Sequence, residues 1–289
     1  MMLYRLCIFI CMFSVLLSAC GSNQTVVTDE DFERGIGRLE VQFMRNYPPN
    51  EVRQNSEEQI IFDVKNSGVH AIEQGFIRLI TDATFVQTPQ QVQSFVLEGK
   101  SSMNPRGGQK RLAFPLNIKN LPPSSAFTDQ TISAQICYDY VTRFNDQVCV
   151  KVEDFSEITS SCTISDLRSS GQGSPIIVSD VRVIMHPFND HSVNPEFRIT
   201  IKNTRGGRVY RHDSEQCMEH INELSLSAVL GDDILDCDQD IVRLSNNEAT
   251  VVCKGRAVQT STVGFERSLS IQLSYMYSEI ISKPIKIVR

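Results

Sequence analysis

The sequence predicts an all-β protein, two β-sandwiches in tandem behind an N-terminal export signal. Three observations carry this. Apolar residues recur with period two in short β-branched runs, the pattern of strands with one wet face. Gly, Pro, Asn and Ser clusters interrupt those runs every 8–20 residues, and long 3.6-period stretches are missing. Two separate segments recur at a single offset of 137 residues. At 289 residues with 41% hydrophobic content, the chain is long enough for two domains with real cores.

The first 19 residues, MMLYRLCIFICMFSVLLSA, place one charge, Arg5, before an apolar run and then small residues. That order is a secretory signal, and the run is short for a membrane span of about 20 residues. Leu17-Ser18-Ala19-Cys20 followed by Gly21 resembles a prokaryotic lipobox. The resemblance implies that Cys20 carries a diacylglycerol thioether and becomes the first residue after cleavage, anchored by acyl chains. Residues 20–36 read as a polar, acidic tether. Asn23-Gln24-Thr25 is an N-glycosylation sequon, a triplet common by chance.

Strands are expected at 39–43, 58–65, 76–82, 92–98, 110–118, 131–142 and 147–153, the last two forming a final hairpin. Turns between them come from Tyr47-Pro-Pro-Asn50, Asn66-Ser-Gly68, Pro105-Arg-Gly-Gly108 and Leu121-Pro-Pro123. Seven strands in about 115 residues fit an immunoglobulin-like or fibronectin-like sandwich over 37–156. A Ser- and Gly-rich linker, 157–173, leads to a second sandwich over 174–289. There 182–185 and 197–202 alternate, Asn203-Thr-Arg-Gly-Gly207 and Ser245-Asn-Asn247 are turns, and 213–224 is the best helix candidate.

The repeat aligns Val64-Lys-Asn-Ser67 with Ile201-Lys-Asn-Thr204. It also aligns 132–140, ISAQICYDY, with 269–277, LSIQLSYMY, so that Tyr138 matches Tyr275 and Tyr140 matches Tyr277. The tyrosines are expected in core or cross-strand packing. Tandem sandwiches behind a lipobox, with VKNSG leaving an early strand and SAQICYDY…VCVKV as a final hairpin, resemble surface lipoproteins of archaea and some bacteria that carry CARDB-like or other immunoglobulin-like domains. The resemblance implies adhesion, envelope assembly or scaffolding, and it brings no catalytic residues.

Six Cys follow Cys20, an even number that suggests three disulfides in an exported chain. Cys137 and Cys149 are symmetric about Arg143 in the expected hairpin, and Cys237 and Cys253 about Ser245. Those pairings leave Cys162 for Cys217, which would tie the linker to the second sandwich.

His212, Cys217 and His220, with Cys237 nearby, are zinc-type donors, but their spacing fits no common module. Asp236, Asp238 and Asp240 could suggest calcium. An EF-hand loop, however, needs Gly where Ile241 stands and Glu where Asn247 stands. No metal and no cofactor is expected. There is no Gly-x-Ser-x-Gly elbow and no phosphate loop, so no enzyme is expected. Lys100, Arg106, Lys110 and Arg111 make a basic loop that reads as solvated. The net charge of −6, or −7 once Arg5 leaves with the signal, argues against nucleic acid.

The expectation is a lipid-anchored protein on the extracytoplasmic face of a cell membrane, with a binding, adhesion or envelope-structural role. Its partners would be the membrane, through the anchor, and proteins or envelope polymers. An assembly subunit packing with partner proteins is the alternative. A transporter's solute-binding lipoprotein fits less well, because those usually have two α/β lobes.

Overall fold

The computed structural model describes residues 37–152, 162–169, 171–260 and 264–289. The signal, Cys20, Asn23, the tether and the boundary at 156/157 lie outside the described residues. In chain order the strands are β1 (Leu39–Phe43), β2 (Glu51–Arg53), β3 (Glu57–Asn66), β4 (Ile72–Ile80), β5 (Val86–Gln87), β6 (Val92–Leu97), β7 (Gln109–Ile118) and β8 (Phe127–Val150). They continue with β9 (Leu167–Arg168), β10 (Ile176–Asn189), β11 (Ser192–Asn203), β12 (Arg208–Arg211), β13 (Glu223–Leu230) and β14 (Asp233–Ile234). The last are β15 (Asp236–Cys237), β16 (Ile241–Arg243), β17 (Glu248–Lys254), β18 (Val258–Gln259) and β19 (Phe265–Val288).

The protein is all-β, with several antiparallel sheets. One sheet is β1-β3-β7-β5, a second runs β15-β17-β11-β10-β9, and a nine-stranded sheet runs β14-β13-β19-β8-β4-β6 with β12, β16 and β2 alongside. β8 and β19 are the backbone of the large sheet. Each is 24 residues long, roughly 80 Å at about 3.3 Å per residue, and they pair antiparallel from end to end.

This pairing corrects the expected final hairpin of 131–142 with 147–153. β8 does not turn at Arg143-Phe-Asn-Asp146, and β19 runs through 278–283 in the same way. The alternation runs through the expected turn with one interruption, the exposed Asp146: Ile132, Ala134, Ile136, Tyr138, Tyr140, Thr142, Phe144, Val148 and Val150 are all buried along one face of β8. That segment contains no Gly or Pro to reverse the chain, and Phe144 already belongs to the core. The first part of β8 pairs with β4 and the first part of β19 with β13, while each strand's second part completes the sheet begun by the other.

Core-facing positions on both long strands, even on β8 and odd on β19, join one apolar cluster with the buried residues of the two smaller sheets. The smaller sheets therefore cover the same face of the nine-stranded sheet, and its opposite face is left outward. At about 25 cal/mol per Å2, burying a Phe62, Phe114, Phe197 or Ile271 contributes on the order of 2–3 kcal/mol each.

The repeated Asn motif has a visible cause. Asn66 accepts the Gly68 N–H (3.0 Å) and donates to the His70 carbonyl (2.8 Å). Asn203 accepts the Arg205 N–H (3.2 Å) and donates to the Gly207 carbonyl (2.7 Å). One side chain thus closes the same turn in both halves. The next residues match too: Ser67 N–H reaches the Arg38 carbonyl and Thr204 N–H the Pro175 carbonyl. The expected helix at 213–224 is not formed. It is replaced by a single 3-10 turn, Glu215–Cys217, and by left-handed φ at Gln216, Cys217, His220 and Asn222. The Cys217 bridge described below holds this stretch irregular.

Candidate functional site

At the middle of the ribbon Asp139 faces Met276, and these residues also stand 137 apart in sequence. The register is therefore symmetric about this pair. On its core side lie Tyr138 opposite Tyr277 and Tyr140 opposite Tyr275, all buried, with ring centroids 5.9 to 6.4 Å apart around the square. The hydroxyls tie loops to the ribbon. Tyr140 donates to the Gly173 carbonyl (2.7 Å), and Tyr277 accepts the Gly207 N–H (2.9 Å) and donates to Asn203 (3.2 Å). Thr142 donates to the Ile176 carbonyl, so the 3.0 Å contact between Tyr275 and Thr142 has the tyrosine as donor. Burial pushes all four phenols up, so they stay protonated.

The outward side of the same midpoint carries an element that breaks the symmetry, a loop over residues 212–222. Cys217 in it is bonded to Cys137 of β8, with Cα atoms 6.2 Å apart. Cys137, Cys217, Tyr210 and Met276 form a small apolar cluster against Phe76, separate from the main core. Ser214 Oγ donates to the Glu219 carbonyl (2.7 Å) and accepts the Glu219 N–H (3.1 Å), which closes the loop. Gln216 accepts a hydrogen bond from Arg78 of β4. Arg211 grips Asp213 (2.6 Å), and its guanidinium holds that carboxyl below the usual range. Between loop and sheet lies a cleft of about 380 Å3. Phe76 and Met276 make its floor, and Gln74, His212, Asp213 and Gln216 are around it. Its size falls within the range of small-molecule sites.

Two of the expected disulfides are corrected. Cys137 and Cys149 lie twelve residues apart on the continuous β8, about 40 Å, and cannot meet. Cys149 instead joins Cys162 (Cα–Cα 5.6 Å), and Cys162 therefore does not reach Cys217. Cys237 and Cys253, direct partners across β15 and β17, are bonded. Cys162 thus ties the linker to the end of β8 rather than to the second half's loop.

The zinc candidates do not converge, because Cys217 and Cys237 are in disulfides. His212 contacts Ser225 (3.0 Å), while His220 sits against Arg211 (3.0 Å) and Glu223 (3.6 Å). Asp238 accepts the Val252 N–H, and Asp236 and Asp240 flank it in β15 and the turn after it. Among the described residues no group of three His, Cys, Asp or Glu is arranged to hold a metal. The cleft itself was missed in the sequence reading. Its signal was local, a polar segment around Cys217 that has no counterpart in the other repeat.

These features define a disulfide-bridged all-β protein of several antiparallel sheets, with a cleft where a bridged loop crosses the largest one. No protein-family model matches the chain, and no curated protein does. Among solved structures it is similar to the secreted serine protease VesC from Vibrio cholerae, at 10% identity and a TM-score of 0.23, over 87% of this chain and 52% of that one. It is also similar to Escherichia coli alpha-2-macroglobulin activated by porcine elastase, at 8% identity and a TM-score of 0.18, over 88% of this chain and 33% of that one. The chain thus spans about half the length of the first and a third of the second. Likeness at this level transfers no function.

Proposed function

We propose that the chain is a lipid-anchored surface protein of the kind the lipobox resemblance implies. Its two repeats are immunoglobulin-like units acting together as a binding, adhesion or envelope-structural module outside the cytoplasm. The observation that carries the reading is the exchange of the long strands. Each half's last strand is built into the other half's sheet, which couples the two into one stiff body with a long outward face. Three disulfides suit an oxidising compartment. Detergent phase partition of the full chain tests the anchor: wild type should enter the detergent phase and Cys20→Ser the aqueous phase. A Cys20→Ser protein that stays wholly with membranes overturns it.

Open strand edges favour a second reading, an assembly subunit. Over 139–150 the edge of β8 away from β19 pairs with no strand among the described residues, and the same holds for 279–285 of β19. Such edges accept strands from partner chains. Crosslinking in intact cells should then capture a defined neighbour through these edges, whereas a monomeric adhesin gives none.

A further inference from the structure

Cross-strand partners share a face, so the outward positions of the ribbon are the odd residues of β8 and the even residues of β19. On β19 these include Ser268, Ser270, Gln272, Ser274, Ser278 and Ser282. On β8 they include Thr131, Ser133, Gln135, Asn145 and Gln147. Several are bonded across the strands: Ser133 to Ser282 (2.8 Å), Ser270 to Asn145 (2.7 Å) and Gln135 to Ser278 (3.4 Å). Charge is scarce. No outward position from 268 to 284 carries one, and from 131 to 147 only Asp139 and Arg143 do. The Asp139 carboxylate already accepts the N–H groups of Glu73 (3.0 Å) and Gln74 (2.8 Å).

A chain that is 21% charged overall thus keeps the outward positions of its two central strands nearly neutral, mostly hydroxyls and amides with the exposed Ile280 among them, while Arg78 of β4 and Arg208 of β12 stand beside Gln135 and Ser278 on the same face. The composition of that face discriminates between partners. Protein-binding patches are rich in aromatics and poor in Ser, whereas the ladder over 131–147 and 268–284 holds six Ser and no aromatic. Anionic polymers need clustered cations, which the ladder lacks. Hydroxyls and amides, each both donor and acceptor, match the hydroxyls of an uncharged sugar chain. The cleft at the centre adds what a sugar ring needs: the half-buried ring of Phe76 for its C–H face, and Gln74, Gln216 and Asp213 for its hydroxyls.

We infer that this outward face, centred on the cleft between Phe76 and the 212–222 loop, binds a neutral glycan chain. The inference deepens the binding-module reading and rests on it. The test uses the full chain in detergent micelles on an array of neutral hexose and N-acetylhexosamine oligomers beside uronate and sulfated oligomers. Wild type should be retained by neutral oligomers. Gln272→Glu with Ser274→Glu, on the ladder, and Gln74→Ala with Gln216→Ala, at the cleft, should each weaken retention roughly tenfold with an unchanged melting temperature. Ser274→Thr should retain binding. A folded wild type that ignores neutral oligomers, prefers the charged ones, or binds as well with both double variants overturns the inference. Failure of the anchor reads out separately, as a chain that leaves the detergent phase but still binds the array.

Discussion

Tyr138 and Tyr275 occupy equivalent places in the 137-residue repeat, yet only Tyr275 has a hydroxyl partner. Tyr275 bonds Thr142 and accepts the Ile176 N–H (3.4 Å), whereas the buried Tyr138 hydroxyl has no partner among the described residues. The residue that corresponds to Thr142 beside Tyr138 is Glu279, whose charge opposes ionisation of the phenol. An unmet buried hydroxyl costs stability, so Tyr138→Phe should be neutral or stabilise by about 1 kcal/mol. Tyr275→Phe should cost about 1–2 kcal/mol, because it strands Thr142 and Ile176. Chemical denaturation of both variants checks the opposite signs.

The two turn glycines that lie against the Tyr140 and Tyr277 rings should be intolerant of a side chain. A Cβ on Gly207 would stand 2.6 Å from the Tyr277 ring, and one on Gly68 would collide with the Tyr140 hydroxyl. Neither ring can retreat, because Tyr140 is packed among His70, Tyr138 and Tyr275 and Tyr277 between Tyr138 and Tyr275. Gly68→Ala and Gly207→Ala should each cost about 1–3 kcal/mol by overpacking, read as a lowered denaturation midpoint at unchanged slope.

Of the three bridges, Cys137–Cys217 closes the longest loop, 80 residues, against 13 for Cys149–Cys162 and 16 for Cys237–Cys253. Chain entropy then predicts a contribution of about 4.5 kcal/mol for the first and about 3 kcal/mol for each of the others. Paired Cys→Ala variants compared by denaturation should keep that order. The Cys137→Ala, Cys217→Ala protein should also lose protection from amide exchange in 212–222.

Glu279 sets a pH dependence. Burial raises its carboxyl, and Arg38 and Arg205 oppose the rise only in part. The folded state therefore holds the proton more tightly than the unfolded chain does. Its contribution is present below the ordinary glutamate range and is lost as pH rises through the raised folded value. Glu279→Gln should gain stability over wild type at neutral pH, and the gain should shrink as pH falls toward 4. Melting curves across that range, with no such convergence, would falsify this.

The fragment 37–152 carries β8 without the β19 strand that completes its sheet. Two copies can restore the ribbon by pairing their β8 strands antiparallel about Asp139, as β8 and β19 do in the whole chain. Light scattering should find a dimer, and a well-folded monomer would mean that β8 can turn at 143–146 after all.

Strand positions were legible because alternation is local. The runs at 39–43, 92–98 and 110–118 emerge close to β1, β6 and β7, and the left-handed Asn246 and Asn247 make the turn that Ser245-Asn-Asn247 announces. The hairpin expected at 143–146 is not formed, and the Cys137–Cys149 pairing that rested on it falls with it. The unbroken alternation from Ile132 to Phe144 was the better signal. The helix expected at 213–224 failed because apolar spacing there serves a loop pinned by Cys217.

The sequence by itself determined that this chain is all-β, which side of each strand faces inward, and that one motif recurs after 137 residues. Those properties follow from backbone geometry and from local hydrogen bonds such as those of Asn66 and Asn203. Tertiary structure alone decided which strand each half of β8 pairs with, which cysteines meet, and that a loop from one half lies over the other half's strand. A period of two specifies a face but not a partner. The second half of β8 buries the same side chains beside its own first half or beside β19, and only the packing of the whole chain chooses between them.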